Sequence, residues 1–270
     1  NTPVKDTSAS TSNAASVTTY FRDNLLHHLE TESASYSGHV YFGESLKGND
    51  GVTIPFQLTD IVEENTANKV LMRVSAFHHT TSTPYTARFQ VTTDSDNFPG
   101  GTFTASQSNT ESHVYGVMGT GQYTSSPSFN AQQLNVKVSC DQAANIDRAN
   151  LHYIEISYMR YLRLNGASLN FTLQSPNAAI TGANGDTRVW DVSDPRSYTQ
   201  LNLQSDGDRA RWYYPSGHAW KRYVAWKSAE GLPQPEIIGY AANQNLHGLP
   251  TPDMVIFTLP QWYREACDLA

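Results

Sequence analysis

The stretch LHYIEISYMRYLRL, residues 151–164, decides the fold class. Side chains alternate along an extended chain, so Tyr153 and Met159 fall on one face while Ile154 and Ile156 largely share the other. Bulky residues on both faces are typical of a strand that is covered on both sides. The stretch therefore predicts a central strand in a mostly β protein.

Short alternating segments surround this strand. Two stretches, 94–101 (DSDNFPGG) and 120–128, carry the Gly, Pro, Asn, Asp and Ser residues of turns. Many short strands at this spacing predict a jelly-roll-like antiparallel β-sandwich over residues 1–175. The predicted strands are residues 39–42, 52–58, 70–77, 85–91, 113–118, 133–139 and 169–173.

A second, smaller β unit is predicted over residues 176–250. Turn-rich stretches separate its segments, and we find no repeat that would indicate a solenoid. Its predicted strands are residues 188–192, 198–203, 209–214, 222–227 and 235–240.

Two segments depart from the alternating pattern. Residues 20–30 (YFRDNLLHHLE) have Phe21, Leu25 and Leu29 at helical spacing and predict a helix. Residues 254–259 (MVIFTL) form a continuous apolar run, which is typical of a strand in a parallel sheet. Pro260 then suits the first turn of a helix.

A strand followed by a helix is half of a βαβ unit. We therefore expect residues 251–270 to be the first strand and helix of a truncated α/β domain, and the chain to be a fragment. An isolated strand and helix bury too little apolar surface to offset the loss of conformational entropy on folding. Residues 254–259 are thus expected to pair with a strand of this chain or of a neighbouring copy, which would make a dimer.

The composition excludes several classes of function. The net charge is -7 and charged residues make up 16% of the 270 residues, which argues against non-specific binding of nucleic acid or anionic lipid. Residues 1–17 lack the apolar core of a signal peptide, and no apolar run is long enough to span a membrane. Two cysteines, Cys140 and Cys267, are too few for a disulfide scaffold.

A cluster of aromatic residues is the best candidate for a ligand or partner surface. An exposed platform would bind a sugar or a partner peptide. The alternative is the core of the second unit and its interface with a following domain, and this is favoured because large aromatics are mostly buried. The cluster comprises Trp212, Tyr214, Trp220 and Trp226.

No catalytic, cofactor-binding or metal-binding residue is assigned. Two cysteine–histidine pairs could in principle form a catalytic dyad, Cys267 with His247 and Cys140 with His152. Neither pair lies in a local sequence signature of a catalytic cysteine. Neighbouring histidines such as those at 27–28 and 78–79 point apart.

Calcium could accept oxygen ligands from Asp94, Asp96 and Asn97, or from residues 183–194, but the EF-hand spacing is absent. Asx-capped turns explain both stretches, so no cofactor is predicted.

Three stretches, in this order, resemble the gingipain-family cysteine peptidases, and most of all the PorU-type sortases of the type IX secretion system. They are VWDVSDP at 189–195, IGYAANQNLHGL at 238–249 and PDMVIFTLPQWYREACDLA at 252–270. The YFGE stretch at 41–44 and the strand at 151–164 also resemble the family's N-terminal β region.

The resemblance implies that residues 254–259 begin a caspase-like α/β domain, with residues 266–270 matching the A-x-x-L-A end of its first helix. The family's catalytic His and Cys would follow Ala270, so no residue of this chain inherits either role.

The resemblance further implies a non-catalytic region that positions the catalytic domain or binds substrates or secretion partners. The parent would be an extracytoplasmic enzyme of a Gram-negative bacterium, in the periplasm, outer membrane or cell surface, and this chain alone would be inactive. A carbohydrate-binding jelly-roll module of a surface glycan system is the alternative. A less favoured alternative is a peptidase-like adhesin whose complete chain has lost the catalytic Cys–His dyad.

Overall fold

The chain folds almost entirely into antiparallel β-sheets, as the sequence predicts. The computed structural model describes residues 5–6, 17–33, 40–47, 50–63, 69–81, 84–108, 116–141, 146–213, 219–228, 236–240, 248 and 255–269. Within these residues the strands are β1 Lys5–Asp6, β2 Tyr20–His27, β3 Glu32–Ser33, β4 Tyr41–Phe42, β5 Val52–Gln57, β6 Leu71–His79, β7 Tyr85–Thr93, β8 Gly100–Gln107, β9 Val117–Thr124, β10 Gln133–Cys140, β11 Arg148–Tyr161, β12 Ser168–Leu173, β13 Asn177–Thr181, β14 Thr187–Asp194, β15 Ser197–Gln200, β16 Gln204–Asp206, β17 Arg209–Tyr213 and β18 Lys221–Lys227.

Eight of these strands form a jelly roll. One sheet has the order β2-β11-β6-β9 and the other β5-β10-β7-β8. The first strand of the eight therefore pairs with the last, the second with the seventh, the third with the sixth, and the fourth with the fifth. This is a long hairpin whose strand pairs alternate between two sheets, the jelly-roll arrangement that the sequence predicts.

The two sheets of the jelly roll enclose one apolar core. Phe89 and Phe103 stack there with ring centroids 4.9 Å apart, and both are buried. The alternation of β10 places Leu134, Val136 and Val138 inward, with no exposed surface. Strict alternation in the sequence thus matches a sheet with one face on the core and one in water.

β11 is central, as predicted, because it lies between β2 and β6. The predicted division of its faces is wrong at one point. The register with β6 shifts between Leu151 and Tyr153, so His152 is the extra residue of a bulge. Leu151 is buried before the bulge and Ile154 after it. The bulge therefore moves the core-facing side chains from odd to even positions.

The helix predicted over residues 20–30 is wrong. Residues Tyr20–His27 form β2, an edge strand that pairs with β11 along its whole length. Phe21 is buried whereas Leu26 is 65% exposed, so the apolar residues do not share a helical face. Asp23 and Asn24 are poor helix formers, and pairing with β11 outweighs the helical spacing.

A second pair of sheets follows the jelly roll. The five-stranded sheet has the order β1-β15-β14-β18-β12, and the three-stranded sheet has the order β13-β17-β16. Both contribute to a second core in which the Phe171 and Tyr223 rings stack at 5.5 Å. The sequence missed β1, β3, β8, β13 and β16, and the strand predicted at 235–240 is absent from its described part, residues 236–240. The domain boundaries 1–175, 176–250 and 251–270 stay predictions.

The C-terminal unit, Pro233–Ala270, is described by itself. A turn of 3-10 helix at Pro260–Trp262 leads into the helix α1, Tyr263–Leu269, where the sequence predicts a helix. Residues 255–259 are not assigned to a strand in the described part of the chain, and the pairing of residues 254–259 with a strand of this chain or of a neighbouring copy stays a prediction. Phe257 is 94% exposed.

Candidate functional site

An open cleft of about 800 Å³ lies between β2 and the five-stranded sheet, whose edge strand β12 also lines it. Its floor is built by alternation on β14 and β18, because Val189, Tyr223 and Ala225 turn into the core while their neighbours turn outward. The cleft is lined by Phe21, Arg22, Asp23, Asn24, Asn170, Phe171, Thr172, Trp190, Val192, Pro195, Tyr198, Arg222, Tyr223 and Val224.

Two aromatic rings form the apolar part of the floor. Trp190 and Tyr198 are inclined by only 14°, with ring centroids 6.2 Å apart. At that separation nearly parallel rings are offset, so part of each ring face stays uncovered by the other. The Trp190 indole also meets Trp226 edge to face at 4.5 Å and donates from Nε1 to Gln200 Oε1 at 3.2 Å. These contacts fix the Trp190 ring.

The wall on the β2 side carries a charge that is already paired. Asp23 Oδ2 lies 3.0 Å from Arg160 Nη1, and the Tyr158 hydroxyl donates to the same carboxylate oxygen at 3.4 Å. Arg22 Nη1 donates to Ser157 Oγ at 3.2 Å. The negative charge of Asp23 is thus neutralised within the protein.

Three planar polar side chains in the cleft have no partner in the described part of the chain. They are the amides of Asn24 and Asn170 and the guanidinium of Arg222; Arg222 and Asn24 make hydrogen bonds through their backbone N–H only. Together they offer amide donors and acceptors and a fork of guanidinium donors. The cleft therefore combines ring faces with unpaired hydrogen-bonding groups and a net positive charge.

A second polar cluster lies at the bulge of β11. The rings of His28 and His152 meet edge to face at 5.3 Å, and Phe42 approaches His152 at the same centroid distance. His27 Nε2 lies 2.7 Å from Glu44 Oε1. Burial, together with the neighbouring His28, lowers the pKa of His152 below its ordinary value. The His152 imidazole is therefore charged less readily than that of an exposed histidine.

Burial also lowers the pKa of His78, which has no exposed surface and whose Nε2 lies 2.9 Å from Ala105 O. A histidine with a lowered pKa takes up its proton more readily in the unfolded chain. The free energy of unfolding should therefore fall as the pH drops through the unfolded value near 6.5, by at most about 1.4 kcal/mol per pH unit for each such histidine.

We expect urea unfolding of the wild type between pH 7.5 and pH 5.5 to show this loss. His78→Gln keeps a donor for Ala105 O and should flatten the slope. Equal slopes for the wild type and His78→Gln would contradict the assignment.

The structure places the aromatic residues that were predicted to form a ligand surface in different environments. Trp212 and Trp226 are buried, so neither belongs to an exposed platform. Trp212 packs in the second core against Phe171 and Tyr223, because alternation on β17 turns it inward. Trp220 is 64% exposed, and Tyr214 lies outside the described residues. A ligand role for Trp220 stays a prediction.

Sequence reasoning missed the cleft residues Trp190, Tyr198 and Arg222. Trp190 alternates with the buried Val189 and Asp191, which is a readable signal of an outward side chain. The wall contributed by β2 had no such signal, because residues 20–27 read as a helix.

The cysteines are free thiols and provide no nucleophile–histidine pair within the described residues. Cys140 is buried on β10, and burial, with Asp141 beside it, raises the pKa of its thiol to about 11. A thiol held protonated is a poor nucleophile. Cys267 is exposed on α1. His247, the histidine considered with it in the sequence, lies outside the described residues.

The turn considered for calcium is hydrogen-bonded within the protein. Both carboxylate oxygens of Asp94 accept from Asn135, and Asn97 Oδ1 accepts from the Ser126 and Ser128 hydroxyls. Among the described residues, no group of three or more His, Cys, Asp or Glu side chains is placed to hold a metal ion. No described helix has the length and apolar character needed to cross a membrane.

Comparison with known proteins finds similarity in structure. No protein-family model matches the sequence, and no curated protein matches it. Among solved structures, the fold is similar to that in the crystal structure of dimeric latent PorU from Porphyromonas gingivalis, with a TM-score of 0.70 and 19% identity. The similarity covers 93% of this chain and 24% of that one. The chain therefore has a PorU-like fold and spans about a quarter of the length of that protein.

Proposed function

We propose that this chain is the non-catalytic β region of a PorU-like, gingipain-family cysteine peptidase, a sortase that processes the sorting domains of exported proteins. The observation that carries the proposal is the fold similarity to PorU over 93% of the chain. The order of the three sequence stretches at 189–195, 238–249 and 252–270 supports it. In this role the β region positions the catalytic domain and contacts substrates or secretion partners.

The exposed apolar residues of the C-terminal unit support docking of a further domain. Val255 and Leu259 are each 61% exposed, and Phe257 is almost fully exposed. Exposed apolar clusters of this kind mark interaction surfaces. In the proposed parent, residues 254–259 join the sheet of the downstream peptidase domain, and α1 packs on that sheet. A second copy could supply the strand instead, which would give a dimer.

The proposed location is extracytoplasmic, at the periplasm, outer membrane or surface of a Gram-negative cell. Catalysis in the parent would use a thiolate nucleophile beside an imidazole base and would pass through an acyl-enzyme, which water or an amine can resolve. Neither group is assigned to a residue of this chain.

Turnover of a sorting-domain peptide tests the enzymatic part of the proposal. The 270-residue chain should give no cleavage, because its described thiols lack a base and Cys140 is held protonated. The complete gene product should cleave the peptide and lose activity on thiol alkylation. Cleavage by the short chain would contradict the proposal, as would an inactive complete protein.

Hydrogen exchange tests the docking part separately. Amides of residues 255–259 should exchange rapidly in the 270-residue chain, since these residues pair with no described strand. They should be strongly protected in the complete protein, where sheet pairing closes them to water. Amides of β10, buried in the jelly roll, serve as a control that is protected in both. Rapid exchange of residues 255–259 in the complete protein would refute the docking.

A further inference from the structure

We infer that the cleft between β2 and the five-stranded sheet is a binding site for an oligosaccharide that carries carboxylate groups. The inference rests on the rings of Trp190 and Tyr198, the unpaired amides of Asn24 and Asn170, and the unpaired guanidinium of Arg222. It is independent of the proposed peptidase role.

The rings supply the apolar contact. One face of a pyranose ring presents C–H groups, and these pack well on an aromatic ring that offers a wide apolar surface at little entropic cost. Trp190 and Tyr198 are nearly parallel and both are partly exposed, so a sugar can pack against the ring surface that the pair leaves open. Trp190 is held by Trp226 and by Gln200, so its orientation is set before a ligand binds.

The polar groups supply direction and specificity. Sugar hydroxyls donate and accept at once, and amide side chains such as Asn24 and Asn170 match them with a donor and an acceptor each. A guanidinium binds a carboxylate through two parallel hydrogen bonds, and Arg222 is available for this. In the described part of the chain these three side chains have no competing partner.

Charge favours an anionic sugar over a neutral one. The whole chain carries -7, yet the cleft contains Arg22 and Arg222, and its one aspartate, Asp23, is paired with Arg160. The cleft is thus a locally positive site on an acidic protein. Carboxylates are attracted to the cleft and repelled by the net negative charge of the rest of the protein.

The inner part of the floor offers no strand edge, because β14 and β18, which carry Trp190 and Arg222, are each paired on both sides. The edge strands that line the cleft are β2 and β12. An extended peptide that joined one of these edges through its backbone would bind the Arg222→Gln and Tyr198→Ala variants as well as the wild type, and this distinguishes it from a sugar held by side chains.

Calorimetric titration with an oligogalacturonate tests the inference, with a neutral galactan oligosaccharide of equal length as the comparison. The wild type should bind the oligogalacturonate, more weakly as salt rises, and bind the neutral sugar at least about tenfold less tightly. Arg222→Gln should weaken oligogalacturonate binding by about tenfold and leave the neutral sugar unchanged. Trp190→Ala and Tyr198→Ala should each weaken both sugars.

A matched control is available outside the cleft. Arg209→Gln removes an exposed arginine of β17 and should bind like the wild type. Thermal unfolding of each variant separates loss of binding from loss of folding, and Tyr198→Ala covers the case in which Trp190→Ala unfolds. No binding of the oligogalacturonate by the wild type would overturn the inference, as would binding that Arg222→Gln and Tyr198→Ala both leave unchanged.

Discussion

Trp212→Ala should lower the free energy of unfolding by about 3–5 kcal/mol, the usual cost of emptying a large aromatic site in a core. Trp212 is 2% exposed, and its ring centroid lies 6.0 Å from those of Phe171 and Tyr223. These three rings join β12, β17 and β18, so the cavity would loosen both sheets of the second sandwich. Urea unfolding of the wild type and the variant measures the difference.

Two companion variants make the result specific. Trp220→Ala, at a 64% exposed position, should change the free energy of unfolding by no more than about 0.5 kcal/mol. Trp212→Phe should cost much less than alanine, because it keeps most of the ring and removes an indole Nε1 that is buried without a partner in the described part of the chain. Equal effects of Trp212→Ala and Trp220→Ala would show that Trp212 is not in the core.

The sequence predicted the strands correctly where the pattern of apolar side chains alone decides the conformation. β10 and β5 alternate strictly, face one core and fall where they were expected. β11 was expected to be central because bulk lies on both faces, and it is central. The sandwich, its jelly-roll arrangement and the C-terminal helix followed from these local patterns.

The wrong predictions concern segments whose conformation depends on residues far away in the sequence. β2 has helical spacing, yet its conformation is set by pairing with β11, more than a hundred residues along the chain. The bulge at His152 depends on the register with β6, which no local pattern reveals.

The cleft was missed for the same reason. Its floor comes from β12, β14 and β18 and its wall from β2, so the site exists only after both sandwiches have formed. The aromatic cluster of the sequence drew attention to Trp212 and Trp226, but β17 turns Trp212 into the core and Trp190 packs against Trp226, so both are buried.

Arg160→Met should destabilise the protein by about 3 kcal/mol, because it leaves the half-buried Asp23 without its cation, whereas Asp60 keeps Arg163. Arg160 Nη1 lies 3.0 Å from Asp23 Oδ2, and its Nη2 lies 3.9 Å from Asp60 Oδ2. The side chains of Arg160 and Asp23 are 19% and 21% exposed, and that of Asp60 only 7%, so water screens the charges incompletely. The three residues tie β2 and the turn after β5 to the end of β11.

A double-mutant cycle isolates the pair. Asp23→Asn in the Arg160→Met background should cost less than Asp23→Asn alone, by about 1–3 kcal/mol, since the aspartate no longer has its partner. Arg163→Met is the matched control: Arg163 Nη1 also lies 3.0 Å from an Asp60 oxygen, but its side chain is 49% exposed, so the expected loss is below about 1 kcal/mol. Additive losses for Arg160→Met and Asp23→Asn would show that the two charges do not interact. A coupled pair would mean that the ion pair of Arg160 and Asp23 holds the β2 wall of the cleft to the end of β11.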